Sequence, residues 1–257
     1  MKKTKNIITV IALIVILALI VTVCYGYYKK ATMEVKNPVA TMEVEGFGTV
    51  KIELYPDQAP NTVANFIKLA NNGYYDGLTF HRIVKDFMIQ GGDSKGDGTG
   101  SVTLGDLNGD ENEEEYSIKG EFLANGYNNL IKHEEGVISM ARADYSSYSS
   151  TLAKEGYNSA GSQFFIMTAD NTSLNGYYAA FGKVIEGMDI VHQIEEVEIK
   201  EVSEEDSSSS EQSTPVNPPV ITSIRVETNG IDYGTPETQK PFDYTSWLYS
   251  NYGVSGY

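Results

Sequence analysis

The stretch Phe80-His-Arg-Ile-Val-Lys-Asp-Phe-Met-Ile-Gln-Gly-Gly-Asp93 places a single arginine, Arg82, just ahead of Phe87, Met88 and Gln90. Three shorter runs carry related residue types: Ser139-Met-Ala-Arg-Ala143, Gly161-Ser-Gln-Phe-Phe-Ile166 and Phe181-Gly-Lys-Val184. Guanidinium is a planar, permanently charged donor. Such a donor suits non-covalent stabilisation of a bound group. An isolated arginine is ordinarily a surface cation, and only the surrounding pattern singles out Arg82. Covalent and metal chemistries lack their residues. No G-x-S-x-G or Cys/His nucleophile arrangement is present, and the Gly-rich run 90–100 lacks the phosphate-loop spacing. One Cys and three His leave no basis for a cysteine- or histidine-rich zinc site. Asp106, Asn108, Asp110 and Asn112 alternate like the start of a calcium loop. Glu111 stands where that loop needs Gly, and Ser117 where it needs Glu.

These residues fall on short strands. Met42, Val44, Val50, Ile52 and Leu54 alternate around a turn at Gly46–Gly48, which predicts a hairpin. Val63, Phe66, Ile67 and Ala70 lie at i, i+3, i+4 and i+7, predicting a helix over 60–72 that Gly73 terminates. Further strands are expected at 78–83, 87–90, 136–141, 163–168, 179–184 and 220–227, with a short helix at 188–194. Phe164 and Phe165 are adjacent and must face opposite ways in a strand, one to the core and one to a pocket. Many short strands with few helices predict a mostly β domain, a barrel or sandwich closed by helices. Segments 101–117, 144–157 and 201–219 read as insertions, the last a Ser-, acid- and Pro-rich linker. The strand after it is expected to return to the main sheet. The aromatic tail 236–257 is expected to pack on the domain surface or to be partly disordered.

The chain has 257 residues and a net charge of −16, which argues against a nucleic-acid partner. Three Lys in the first six residues precede an apolar run from Ile7 to Val23, about 25 Å long as a helix. With Tyr25, Tyr27, Tyr28, Lys29 and Lys30 following it, residues 1–30 predict a signal anchor, a single transmembrane helix. A spacer, 31–37, and an extracytoplasmic domain, 38–235, would follow. The alternative is a lipoprotein anchored through Cys24.

The four motifs, in this order, resemble the cyclophilin family of peptidyl-prolyl cis-trans isomerases over about residues 38–235. The resemblance implies a closed eight-stranded antiparallel barrel capped by two helices, no cofactor or metal, and a monomer. It implies that Arg82 is the catalytic arginine and that Phe87, Met88, Phe165 and Leu174 wall a proline pocket. Gln90 and Gln163 would bind peptide backbone or orient Arg82, with Ala141, Arg142 and Ala143 along the groove. Arg142 replaces the family's usual Asn, Ser173 stands where many members have Trp, and Tyr178 where many have His.

The residue chemistry agrees with that expectation. Amide resonance opposes rotation of a peptide bond by about 18–20 kcal/mol. Twisting it returns a lone pair to the prolyl nitrogen, and a fixed guanidinium would bind that twisted form more tightly than either planar isomer. No bond breaks, so no nucleophile is needed. The expected partners are proline-containing unfolded or exported polypeptides. The alternative is a catalytically weak proline-peptide binding module, or a partner-docking protein at a membrane surface.

Overall fold

The computed structural model describes residues 2–32, 36–146, 148, 152–201 and 212–253. The chain divides into two units, 1–36 and 37–257. The first is helix α1 (Lys2–Thr32), whose described side chains over 13–26 are exposed and mostly apolar. Among the described residues no helix is long and apolar enough to cross a membrane. The transmembrane helix expected from the sequence is therefore not found among them.

The second unit is built on one antiparallel sheet. Its strands are β1 (Val39–Val44), β2 (Gly48–Leu54), β3 (Phe80–Val84), β4 (Met88–Gly91), β6 (Val137–Met140), β7 (Phe164–Met167), β8 (Ala180–Glu186) and β9 (Ile221–Glu227). Their spatial order is β3-β4-β7-β6-β8-β2-β1-β9. The short β5 (Ser117–Ile118) lies outside this sheet and pairs with β10 (Thr238–Gln239). The sheet curls but its ladder does not close, which corrects the expected closed barrel. Between β3 and β9 there is only the isolated bridge Thr79–Val220, with single bonds such as Phe80 N–H to the Pro219 carbonyl at 2.9 Å. Pro218 and Pro219 lack the N–H groups that a continuous ladder would need there.

Helix α2 (Pro60–Asn71) buries Val63, Phe66, Ile67 and Ala70, the predicted stripe, and Gly73 adopts a left-handed φ of +81° just beyond its end. The residue before α2, Ala59, has no capping side chain. The buried Glu121 takes over, accepting from Asn61 N–H, Thr62 N–H and Thr62 Oγ1 at 2.7–3.0 Å. A carboxylate at that end also suits the helix dipole. Helix α5 (Met188–Glu195) contributes Val191 and Ile194 to the same interior. The centre of that core is aromatic: Phe66 meets Tyr75, Phe164 and Phe181 at centroid distances of 5.1–5.8 Å.

Two segments carry local structure that their sequence reading did not specify. The acidic stretch 101–117 contains helix α3 (Leu104–Asn108), where Thr103 and Asp106 form a reciprocal capping box. Asp106 Oδ2 accepts from Thr103 N–H and Thr103 Oγ1, each at 2.8 Å. The tail is ordered through β10 and helix α6 (Tyr244–Tyr252), and the insertion after β6 carries the short helix α4 (Ala153–Gly156). As expected, β9 returns to the main sheet beside β1. The linker's residues 202–211 and the tail's 254–257 lie outside the described residues.

Candidate active site

Alternation along the strands sorts side chains onto two faces of the sheet. Ile83, Ile89, Ile166 and Ile138 lie in register across β3, β4, β7 and β6, and all belong to the interior core. The neighbouring row is Arg82, Gln90, Phe165 and Ser139. Because its side chains point the other way, this row faces a second, smaller apolar cluster that includes Met88, Val137, Phe165 and Met167. Phe164 belongs to the first cluster and Phe165 to the second, the split predicted from their adjacency.

On that second face lies a cavity of about 320 Å³. Phe87, Met88, Phe165 and Leu174 form its apolar wall, Arg82 and Gln90 its polar side, and Ala141, Arg142 and Tyr178 its rim. Of the residues singled out from the sequence, Gln163 and Ala143 do not line it. They line an adjoining cavity of about 360 Å³, which shares Gln90, Ala141 and Arg142 with the first.

A hydrogen-bond relay fixes the arginine. Arg82 Nη1 donates to Gln90 Oε1 at 3.1 Å and touches Met88 Sδ at 3.5 Å. Gln90 Nε2 donates to Gln163 Oε1 at 3.0 Å, and Gln163 Nε2 reaches the Asp93 carboxylate at 3.3 Å and the Gly98 carbonyl at 3.2 Å. Asp93 is buried, and its other oxygen accepts from Asp97 N–H and Gly98 N–H at 2.9 and 2.8 Å. Gly92 makes this turn possible: its φ is +83°, and a Cβ there would stand 2.6 Å from the Ser162 carbonyl oxygen. The arrangement offers an oriented cation beside an apolar wall. Among the described residues no group of His, Cys, Asp and Glu is placed to hold a metal ion.

The model of the family described as "Cyclophilin type peptidyl-prolyl cis-trans isomerase/CLD" matches residues 39–226. The chain belongs to the cyclophilin family. Peptidyl-prolyl cis-trans isomerase B of Bacillus subtilis is 41% identical over 146 residues, 57% of this chain and 82% of that one. A peptidyl-prolyl cis-trans isomerase-like 1 of Rhizopus delemar is 42% identical over 148 residues, 57% of this chain and 74% of the relative. Among solved structures, a Cryptosporidium parvum cyclophilin crystallised in the presence of the dipeptide Ala-Pro superposes with a TM-score of 0.54. It is 28% identical, and the match covers 74% of this chain and 98% of that one. The chain is thus a peptidyl-prolyl cis-trans isomerase.

Within this cyclophilin, the departures from the usual residues acquire a structural account. Arg142 does not project into solvent. Its guanidinium lies over the rings of Tyr178, Tyr157 and Phe122 at 4.6, 5.1 and 5.7 Å, and Nε donates to the Tyr177 carbonyl at 2.9 Å. Tyr178 thereby serves as a platform for Arg142 and also meets Phe165 edge-on at 5.6 Å. Ser173 is exposed and bonds Asn171 in a turn, so no aromatic closes the pocket at that position.

Sequence reasoning missed three residues here. Asp144 lines the 320 Å³ cavity; its place directly after Ala141–Ala143 was the available signal. Asp93 closes the quoted motif, but its role depends on a turn that only the structure shows. His133 is buried behind the pocket, where its ring stacks on Phe165 at 6.0 Å and lies beside Ser139 Oγ at 3.2 Å. His81, beside Arg82, is also buried, and burial lowers its pKa.

Burial lowers the His133 pKa from 6.5 to about 4, against the opposing effect of its bond to Asn175. A base with a depressed folded-state pKa contributes stability that is complete above its unfolded value. That stability is lost as pH falls from about 6.5 through about 4, up to about 3 kcal/mol in all. Thermal melts at pH 7.5 and 4.5 should therefore show a larger acid loss for wild type than for His133→Gln, which cannot titrate. Equal losses would show that His133 does not carry this pH dependence.

Proposed function

We propose that this isomerase works through Arg82, with the prolyl ring held against Phe87, Met88, Phe165 and Leu174. The observation that carries the reading is the Arg82–Gln90 bond across paired strands, which fixes a guanidinium at the edge of an apolar cavity. In a planar X–Pro amide the nitrogen lone pair is delocalised and accepts poorly. As the bond twists, the nitrogen pyramidalises and becomes an acceptor, and an N–H of Arg82 already in place stabilises that state selectively. A preoriented donor needs little reorganisation at the barrier, and exclusion of water from the ring strengthens the interaction. Gln90 and Gln163 act as positioning residues, while the peptide runs past Ala141, Arg142 and Ala143. Arg82→Ala should lower kcat/KM for an X–Pro peptide by about two to three orders of magnitude while leaving the thermal melt unchanged. A folded Arg82→Ala protein as active as wild type would remove Arg82 from the mechanism.

The proposed substrates are exported polypeptides, which cross a membrane unfolded and then wait tens of seconds or longer on uncatalysed proline isomerisation. Support comes from the sequence: the apolar run Ile7–Val23 between Lys2, Lys3, Lys5 and Lys29, Lys30 fits an N-terminal membrane tether. Full-length protein should stay with the membrane fraction after alkaline extraction, and deletion of residues 1–30 should release it. Full-length protein in the soluble fraction would contradict the tether.

A further inference from the structure

Phe87 forms part of the apolar wall of the proline site, yet it sits in the turn between β3 and β4 rather than in either strand. The residue before it, Asp86, has a left-handed φ of +56°. That region is disfavoured for residues other than glycine, so the turn needs an outside hold. Helix α5 supplies it. Glu195, at the C-terminal end of α5 and only 6% exposed, accepts from Asp86 N–H through Oε1 at 2.6 Å. The same oxygen accepts from Thr168 Oγ1 at 2.5 Å. Thr168 follows β7, and its N–H donates to the Phe87 carbonyl at 3.0 Å. One carboxylate thus ties the backbone before Phe87 to the segment that pins the backbone after it.

The second carboxylate oxygen is engaged as well. His192 Nδ1 lies 3.1 Å from Glu195 Oε2, and His192 Nε2 lies 2.6 Å from Glu135 Oε1. The bonds to Glu195 and Glu135 raise the His192 pKa, favouring the imidazolium that can donate to both. At the surface Lys85 pairs with Glu196 at 2.5 Å, a further tie between this turn and the end of α5. A buried carboxylate is costly unless its lone pairs are satisfied. Here the donors come from the turn, from the end of β7 and from α5 itself. Glu195 does not line the proline cavity, so it can affect the reaction only through what it holds.

We propose that Glu195 is a positioning residue for the isomerase: its carboxylate holds the β3–β4 turn so that Phe87 stands against the prolyl ring. Phe87 packs on the cluster of Met88 and Phe165, and release of its backbone would let the wall give way under a bound ring. Such a loss falls equally on planar and twisted peptide, because both keep the ring in the same place. It therefore weakens binding and spares the barrier. This inference rests on the proline site described above.

The test measures KM and kcat separately for a short X–Pro peptide, with the full chain. Glu195→Ala should raise KM by about five- to tenfold and leave kcat within about twofold of wild type. Glu195→Gln, which keeps an oxygen for Asp86 N–H and the Thr168 hydroxyl, should bring KM back to within about twofold. Thr168→Val removes one donor with little change of shape and should raise KM by about threefold, which decides the matter if Glu195→Ala does not fold. In a Phe87→Ala background, Glu195→Ala should add nothing to KM. A fall in kcat at unchanged KM would mark a merely structural role and overturn the proposal, as would a KM equally raised in Glu195→Gln or an unchanged KM in Thr168→Val. If Phe87→Ala alone left KM unchanged, the proline-site reading would fall. If Phe87→Ala raised KM and Glu195→Ala did not, only the Glu195 hold would.

Discussion

The period of two in a β-strand is the constraint on which this molecule depends. Each of β3, β4, β6 and β7 presents alternate residues to two clusters, the main interior and a smaller buried group around Met88 and Phe165. The interior row of isoleucines holds the strands together, and the adjacent row carries Arg82, Gln90 and Phe165 at matching heights. Core and site are therefore one pattern read on two faces. A slip of one residue in β3 would turn the arginine towards the interior and Ile83 away from it.

Rigidity at the site follows from the relay that starts on that outer row. A lone arginine carries much rotational freedom, and a catalyst that must order it at the barrier loses the benefit of having it. Here the ordering is done in advance, from Arg82 through Gln90 and Gln163 to the buried Asp93, whose carboxylate also ties down the 93–98 turn. Burying a carboxylate is costly unless its lone pairs are satisfied, and Asp93 is satisfied by backbone N–H groups that only this turn supplies. The Arg142 clamp on Tyr178, Tyr157 and Phe122 does the same for the far rim of the pocket.

Much of this was legible in the sequence, and the reasons differ by element. The β1–β2 hairpin and α2 follow from apolar periodicity, and the observed bounds lie within a residue or two of those expected. Arg82, Phe87, Met88, Gln90 and Phe165 could be singled out because they sit in short, dense motifs. What escaped was non-local. The opening between β3 and β9 depends on two prolines meeting a strand far away in sequence. Glu121 serves as a cap for a helix that precedes it by some sixty residues, and no periodicity announces that. His133 was not singled out because nothing adjacent to it in sequence foretells the stack on Phe165. The tail's composition gave away its aromatic character but not its place beside Tyr145.

The most direct test is a double-mutant cycle on cis-to-trans isomerisation of a short X–Pro peptide, comparing wild type, Arg82→Ala, Gln90→Ala and the double mutant. If Gln90 acts by holding Arg82, Gln90→Ala alone should lower kcat/KM by about tenfold or more, and the double mutant should be no worse than Arg82→Ala. Losses that multiply in the double mutant would contradict the relay. They would mean that Gln90 contributes to the reaction independently of the guanidinium.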